Sequence, residues 1–259
     1  MTNTVLEKFH RGEPSLGTFT QMHSTIAAEI LGYTGLDFVL IDMEHAPLSA
    51  QSAGELIAAA RGSGITPMVR AREISRSAVL QPLDAGAMGV VVPCVETVDQ
   101  VRQLVQWAKF VPTGNRGYCM TRDDGWGLAP GAAPTLEAYM ERSNRQTLLL
   151  PQCETVGCLD HIEEIAAMEG VDGIFLGPFD LSIALGCPAE FDTPRMREAT
   201  ERVLAACRDN GKLAMVFSGS PEAARSYWEL GFHSATMGLD TLVYVQAYRD
   251  LVARAKKAQ

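Results

Sequence analysis

The chain has 259 residues, 47% hydrophobic and 20% charged, with a formal net charge of −9 and a pI near 5.1. That acidic balance argues against nucleic acid or an anionic membrane surface as partner, and no uninterrupted apolar run is long enough to cross a bilayer. The opening stretch MTNTVLEKFHRGEP lacks an apolar signal core, so a cytoplasmic location is expected.

Apolar, β-prone runs alternate with helical patterns nearly from end to end. Strands are expected at 16–21, 37–44, 66–72, 89–96, 147–154, 172–180, 212–219 and 233–238. Between them lie stretches such as SAQSAGELIAAARGSG and TVDQVRQLVQWAKFV, whose apolar positions recur at three and four. The amphipathic DTLVYVQAYRDLVARAKKAQ closes the chain. Near-continuous apolar strands separated by helices indicate parallel strands covered by helices. Eight such units predict one (β/α)8 TIM barrel over residues 1–259. An open doubly wound sheet lacks its Gly-x-Gly-x-x-Gly signature after the first strand. Six cysteines are scattered without a Cys-x-x-Cys pair, so buried, reduced thiols are expected for most of them. The one long departure is residues 112–134, PTGNRGYCMTRDDGWGLAPGAAP, expected to form an active-site lid or rim at the C-terminal face of the barrel.

The C-terminal ends of barrel strands are where chemistry gathers. Strand two ends in Asp42, Glu44 and His45, strand three in Arg70 and Arg72, strand five in Gln152 and Glu154, and strand six in Asp180. Glu154 and Asp180 stand on neighbouring strands, so their carboxylates are able to converge on one cation with positions left for water and substrate, the usual way to hold Mg²⁺ or Mn²⁺. The plainer alternative is a helix-capping Asp180 and a Glu154 paired with an arginine. His45 lies beyond a strand end beside two acids, and Asp42 is placed to fix its tautomer, which would make it a general base; the alternative is an isolated loop histidine. Arg70 suits a planar oxyanion or carboxylate, or else a salt bridge to Glu44 or Glu154. His23 is a further rim candidate. None of the five lysines falls at a strand C-terminus, so a Schiff-base mechanism has no candidate and a carbanion would need a metal.

The motifs FVLIDMEHAP, PMVR, GNRGY, PQCET and GVDGIFLGPFDLS, in this order across most of the chain, resemble the HpcH/HpaI family of class II, metal-dependent pyruvate aldolases. The resemblance implies reversible cleavage of a 4-hydroxy-2-oxoacid into pyruvate or hydroxypyruvate and an aldehyde through a metal-stabilised enolate. It implies Glu154 and Asp180 as ligands of a divalent cation (Mg²⁺, Mn²⁺ or Co²⁺), Gln152 as a positioning residue, and Arg70 as the contact to the ketone oxygen. His45 with Asp42 takes the acid/base position. Backbone N–H groups at Phe179 and Asp180 would meet the substrate carboxylate. Phe19 stands where relatives carry a tryptophan, Arg122 matches a recurrent loop arginine, and Asp84 matches an acid that reaches a neighbouring subunit's site. The resemblance also implies a homo-hexamer or trimer with the last helix exchanged between subunits. If Asp123 and Asp124 face the site, neutral hydroxyaldehydes should outperform succinic semialdehyde. The alternatives are a metal-dependent C–C lyase or decarboxylase acting on oxaloacetate or a related 2-oxoacid, and a non-catalytic barrel that binds a 2-oxoacid.

Overall fold

All eight expected strands form. In the computed structural model, which describes residues 2–257, they are β1 Ser15–Thr20, β2 Phe38–Asp42, β3 Thr66–Arg70, β4 Gly89–Val92, β5 Leu148–Cys153, β6 Gly173–Leu176, β7 Leu213–Ser218 and β8 Ser234–Leu239. They pair in sequence order, all parallel, and β8 returns to β1 to close a barrel. Met1, Ala258 and Gln259, the ends of the expected 1–259 domain, lie outside the described residues. No helix among the described residues is long and apolar enough to cross a membrane.

Local sequence explains where the helices begin. Behind the strand ends, Ser24, Ser49, Ser75, Thr97, Thr155 and Ser220 each accept a hydrogen bond from the third N–H of the helix that follows. Those helices are α2 Thr25–Leu31, α3 Ala50–Ser63, α4 Arg76–Asp84, α5 Val98–Ala108, α7 Val156–Asp160 and α11 Pro221–Leu230. The remaining ones are α1 Thr4–Arg11, α6 Leu136–Gln146, α8 Ile162–Ala167, α9 Pro178–Ala184, α10 Pro194–Asp209 and α12 Asp240–Lys257.

Alternation along the strands divides the apolar side chains between two cores. Phe19, Phe38, Leu40, Met68, Val91, Leu148, Leu150, Phe175, Leu213 and Met215 fill the barrel. Their neighbours, such as Val90, Val92, Leu149 and Ile174, face outward into the helix layer. A Cβ on Gly17 would overlap the Phe38 ring, so only glycine fits there. Helix α1 closes the N-terminal mouth: Val5 joins the interior core, and Asn3 Nδ2 donates to the carbonyls of Met88 and Gln146, both at 2.9 Å.

The strands stop earlier than expected, at Asp42, Arg70, Val92 and Leu176 rather than at residues 44, 72, 96 and 180. The larger correction concerns residues 112–134. This segment follows α5, and a helix that follows a barrel strand returns the chain to the N-terminal end. Its 3-10 turn, Arg122–Gly127, therefore sits beside Ala87, Met88 and Thr147, at the starts of β4 and β5. Within one chain the segment is not a rim to the C-terminal mouth.

Buried Lys109 has a structural task at that same end. It is 2% exposed, its Nζ lies 2.7 Å from the Asp172 carboxylate, and it donates to the Thr147 carbonyl at 2.6 Å. Lys109→Met is expected to cost about 2–4 kcal/mol, below the full range for a buried pair because Asp172 keeps some contact with water. Urea unfolding at neutral pH reads this out; a midpoint within error of wild type would show the pair to be dispensable.

Candidate active site

The polar strand ends do meet at the C-terminal mouth, around a cavity of about 210 Å³. Gln21, His45, Arg70, Gln152 and Asp180 line it with the aromatic rings of Phe19, Phe175, Phe179 and Phe217. A larger cavity of about 350 Å³ lies at the opposite end, under the 122–132 segment. Its acids are already paired, Asp124 with Arg142, and Asp123 with the Tyr139 hydroxyl at 2.9 Å. The chemistry therefore belongs to the smaller cavity.

Strand register builds its centre. Asp42 on β2 stands directly opposite Arg70 on β3, and its two oxygens accept Arg70 Nε at 2.9 Å and Nη2 at 2.8 Å. Asp42 also accepts Gln21 Nε2 and the backbone N–H groups of Glu44 and His45. Burial alone would raise the Asp42 pKa; the Arg70 guanidinium and these donors hold it below the usual carboxylate range. The His45 ring is not among Asp42's partners, contrary to the expected Asp42–His45 couple. Its Nε2 lies 3.9 Å from Glu44, and its side chain is 58% exposed at the rim. Asp42 thus fixes Arg70, which is 7% exposed and stacked 4.6 Å above the centre of the Phe19 ring.

At the same mouth, Glu154 follows β5 and is 5% exposed. One oxygen accepts the Cys94 N–H at 2.7 Å and the other accepts Gln152 Nε2. Burial, with the charges of Glu44 and Asp180 nearby, raises its pKa to about 7. Glu44 is raised too, mainly by burial and further by Asp42 and Asp180, against the pull of Arg70 and His45. Asp180 occupies the first turn of α9, whose Pro178 takes the position where a missing N–H costs nothing. Phe179 and Asp180 supply N–H groups that the helix itself cannot satisfy. A Cβ at Gly177 would come within 2.9 Å of Gln152 Nε2 and 3.0 Å of Glu154 Oε2, so glycine is required for this turn to pass the carboxylate.

Cys94 was not singled out by sequence, and Glu44 was named only at its strand end and as a possible partner of Arg70, from which it lies 3.3 Å; one donor atom each from Glu44, Cys94 and Glu154 lies within 4.8 Å of the others. Cys94 is exposed, unlike the buried thiols expected, and holds a left-handed φ of 56° just past β4. The strand-end rule, applied to VVVPC, would have found it. Phe217 and Leu239, at the ends of β7 and β8, also line the cavity and were missed. They read as ordinary core residues in sequence.

Other expected site residues lie elsewhere. Arg122 stands over Trp126 at the N-terminal end, and Asp84, at the end of α4, is bound to Arg116 at 2.8 Å. Neither reaches the mouth of its own barrel. Asp123 and Asp124 are at that far end as well, which removes the stated basis for their effect on acceptor choice. His23 pairs with Glu55 on the surface.

An eight-stranded parallel barrel with an acidic cluster and a fixed guanidinium at its C-terminal mouth defines a (β/α)8-barrel protein with an enzyme-like site. The model of the HpcH/HpaI aldolase/citrate lyase family matches residues 15–247. The chain is 33% identical to a 2-keto-3-deoxy-L-rhamnonate aldolase of Escherichia coli, over all of this chain and 95% of that one. A crystal structure of an HpcH/HpaI aldolase/citrate lyase family protein from Burkholderia cenocepacia is 32% identical, with TM-score 0.88 over 98% of this chain and 100% of the other. An HpcH/HpaI aldolase from Desulfitobacterium hafniense is 26% identical, with TM-score 0.87 over 98% and 96%. The chain belongs to the HpcH/HpaI aldolase/citrate lyase family.

Proposed function

We propose that the chain is a divalent-metal-dependent aldolase that reversibly cleaves a 4-hydroxy-2-oxoacid into pyruvate, or hydroxypyruvate, and an aldehyde. The observation that carries this is the convergence of Glu44, Glu154 and Asp180 on one mouth, beside an Arg70 locked in place by Asp42. The donor set fits a hard or borderline cation: the buried Gln152 Oε1 has no hydrogen-bond partner, and the charges of Glu44 and Asp180 help to raise the pKa of Glu154. Glu154 and Asp180 would hold the ion, with Gln152 orienting Glu154 through its amide. When bound, a Mg²⁺, Mn²⁺ or Co²⁺ ion supplies positive charge beside the carboxylate and ketone oxygens of the oxoacid.

The remaining roles fall to the chain itself. Arg70 donates to the ketone oxygen as charge develops there, and Asp42 preorganises it, so no reorganisation is needed in the transition state. The N–H groups of Phe179 and Asp180 receive the substrate carboxylate, and the Phe19 ring supports Arg70 from below. His45, at the wet rim, moves the proton between the hydroxyl of the oxoacid and solvent. Assembly into a trimer or hexamer is part of this reading. Leu242, Val243, Tyr244, Tyr248 and Leu251 of α12 are exposed on one chain, as a helix exchanged between subunits would leave them. Asp84 would then belong to a neighbour's mouth. Oxaloacetate decarboxylation would pass through the same enolate, but among the described residues of one chain no further guanidinium lines the cavity to meet its second carboxylate.

Proton exchange at pyruvate C3, followed by NMR in D₂O, tests the reading without an aldehyde. Metal-stripped protein is expected to be inactive, and added Mg²⁺, Mn²⁺ or Co²⁺ to restore exchange. Silence with every ion, for pyruvate and hydroxypyruvate alike, would sink it.

A further inference from the structure

We propose that the aldehyde this site accepts is neutral and apolar, its tail lying against Phe217 and Leu239 at the β7 and β8 ends of the mouth. The inference rests on the aldolase reading above.

The cavity is divided. Its polar groups come from the β2, β3, β5 and β6 ends, as His45, Arg70, Gln152 and Asp180, joined by Gln21 after β1, whose amide donates to Asp42 at 3.0 Å; the β7 and β8 ends present Phe217 and Leu239, with the Phe19 ring behind them. The Phe217 ring makes edge contacts with Phe19 at 5.7 Å and Phe179 at 5.8 Å, so three rings form one continuous surface. Phe175, 6.1 Å from Phe19, and Phe191, 4.9 Å from Phe179, hold those rings from behind. Phe217 and Leu239 remain only half-buried, whereas Phe19 and Phe175 are enclosed. Apolar surface is thus left open toward the cavity.

Charge points the same way. Among the described residues of one chain, Arg70 is the only arginine or lysine lining the cavity, and it is engaged by Asp42 and lies 3.3 Å from Glu44. The ends of β7 and β8, Ser218-Gly219 and Leu239-Asp240, carry no cation, although this is where barrels commonly bind a phosphate. Asp240 is held by the Thr20 hydroxyl and the Gln21 N–H. A carboxylate or phosphate tail would lose water without gaining a partner, and so would a run of hydroxyls.

With the oxoacid on the polar side, its C3 gives up a proton to solvent, and the C2–C3 π pair of the resulting enolate forms the new bond to the aldehyde carbonyl carbon as the ketone C=O returns. The carbonyl π pair moves to oxygen, which takes a proton, and the tail is left facing the rings.

The test compares butanal, glyceraldehyde and succinic semialdehyde as acceptors with pyruvate, in wild type and Leu239→Ser, with C3 exchange measured separately in the absence of aldehyde. Butanal is expected to exceed both others in kcat/KM by about tenfold or more, and Leu239→Ser to narrow the butanal-to-glyceraldehyde ratio by about tenfold. The change in ratio cancels the intrinsic reactivities of the aldehydes, and the wild-type comparison stands if the variant does not fold. A wild-type preference for glyceraldehyde or the semialdehyde, with C3 exchange intact, overturns the apolar acceptor and leaves the aldolase reading in place. A ratio unmoved by Leu239→Ser overturns the assignment of the wall. Absence of C3 exchange overturns both readings.

Discussion

Glu154→Ala and Asp180→Ala are each expected to abolish metal binding and turnover together. The two carboxylates approach the mouth from adjacent strand ends, and each is proposed to supply one of the two protein bonds to the ion. Even a residue that only orients a ligand changes metal affinity by about 10–100-fold, so loss of a ligand should weaken Mn²⁺ binding by at least about 100-fold. Glu154→Gln sharpens the test, because it keeps the shape and the Cys94 N–H contact while removing the charge. Mn²⁺ titration followed by electron paramagnetic resonance reads affinity independently of rate. Unchanged Mn²⁺ affinity with lost turnover would remove that residue from the ligand set and place it among the groups that touch substrate.

Arg70→Ala is expected to separate the two properties. The guanidinium is fixed by the two hydrogen bonds it donates to Asp42 and by the Phe19 ring, and it is not among the proposed metal ligands. If it supplies one strong contact to the developing oxyanion, its loss should lower C3 exchange on the order of 10²–10³-fold, with Mn²⁺ affinity within a few-fold of wild type. Arg70→Lys should recover little, since an ammonium cannot reproduce a two-point grip on Asp42 and a stacked plane at once. Near-normal exchange in Arg70→Ala would refute the oxyanion role. A collapse of metal affinity in the same variant would instead make Arg70 a support for Glu44, whose carboxylate lies 3.3 Å away.

Near-continuous apolar runs, helical positions recurring at three and four, and the placing of Asp42, Arg70, Gln152, Glu154 and Asp180 at strand ends are local properties. Each follows from residues that lie within one element or at its end. For that reason the barrel, its eight strands and the polar content of the mouth were legible in the chain. The resemblance in ordered motifs then pointed to the family that the comparisons establish.

Pairings between elements were less accessible. Asp42 was expected to serve His45, three residues away in sequence, but parallel register sets Arg70 directly beside it, and the guanidinium and backbone N–H groups fill both its oxygens. Residues 112–134 were expected at the C-terminal mouth because they come after β4. They also come after α5, and every crossover helix carries the chain back to the other end, so Arg122, Asp123 and Asp124 land beside the strand starts. Cys94 joined the site, beside Glu44, only when β4 and β2 were placed around one axis. Phe217 and Leu239 carry no polar signal, and only closure of β8 onto β1 aims them at the cavity. The sequence by itself determined the elements and which residues stand at their ends, because those depend on neighbours along the chain. The tertiary structure decided which ends face one another and which side chains remain open to a ligand, because those depend on register and closure, where contacts join residues far apart in the chain.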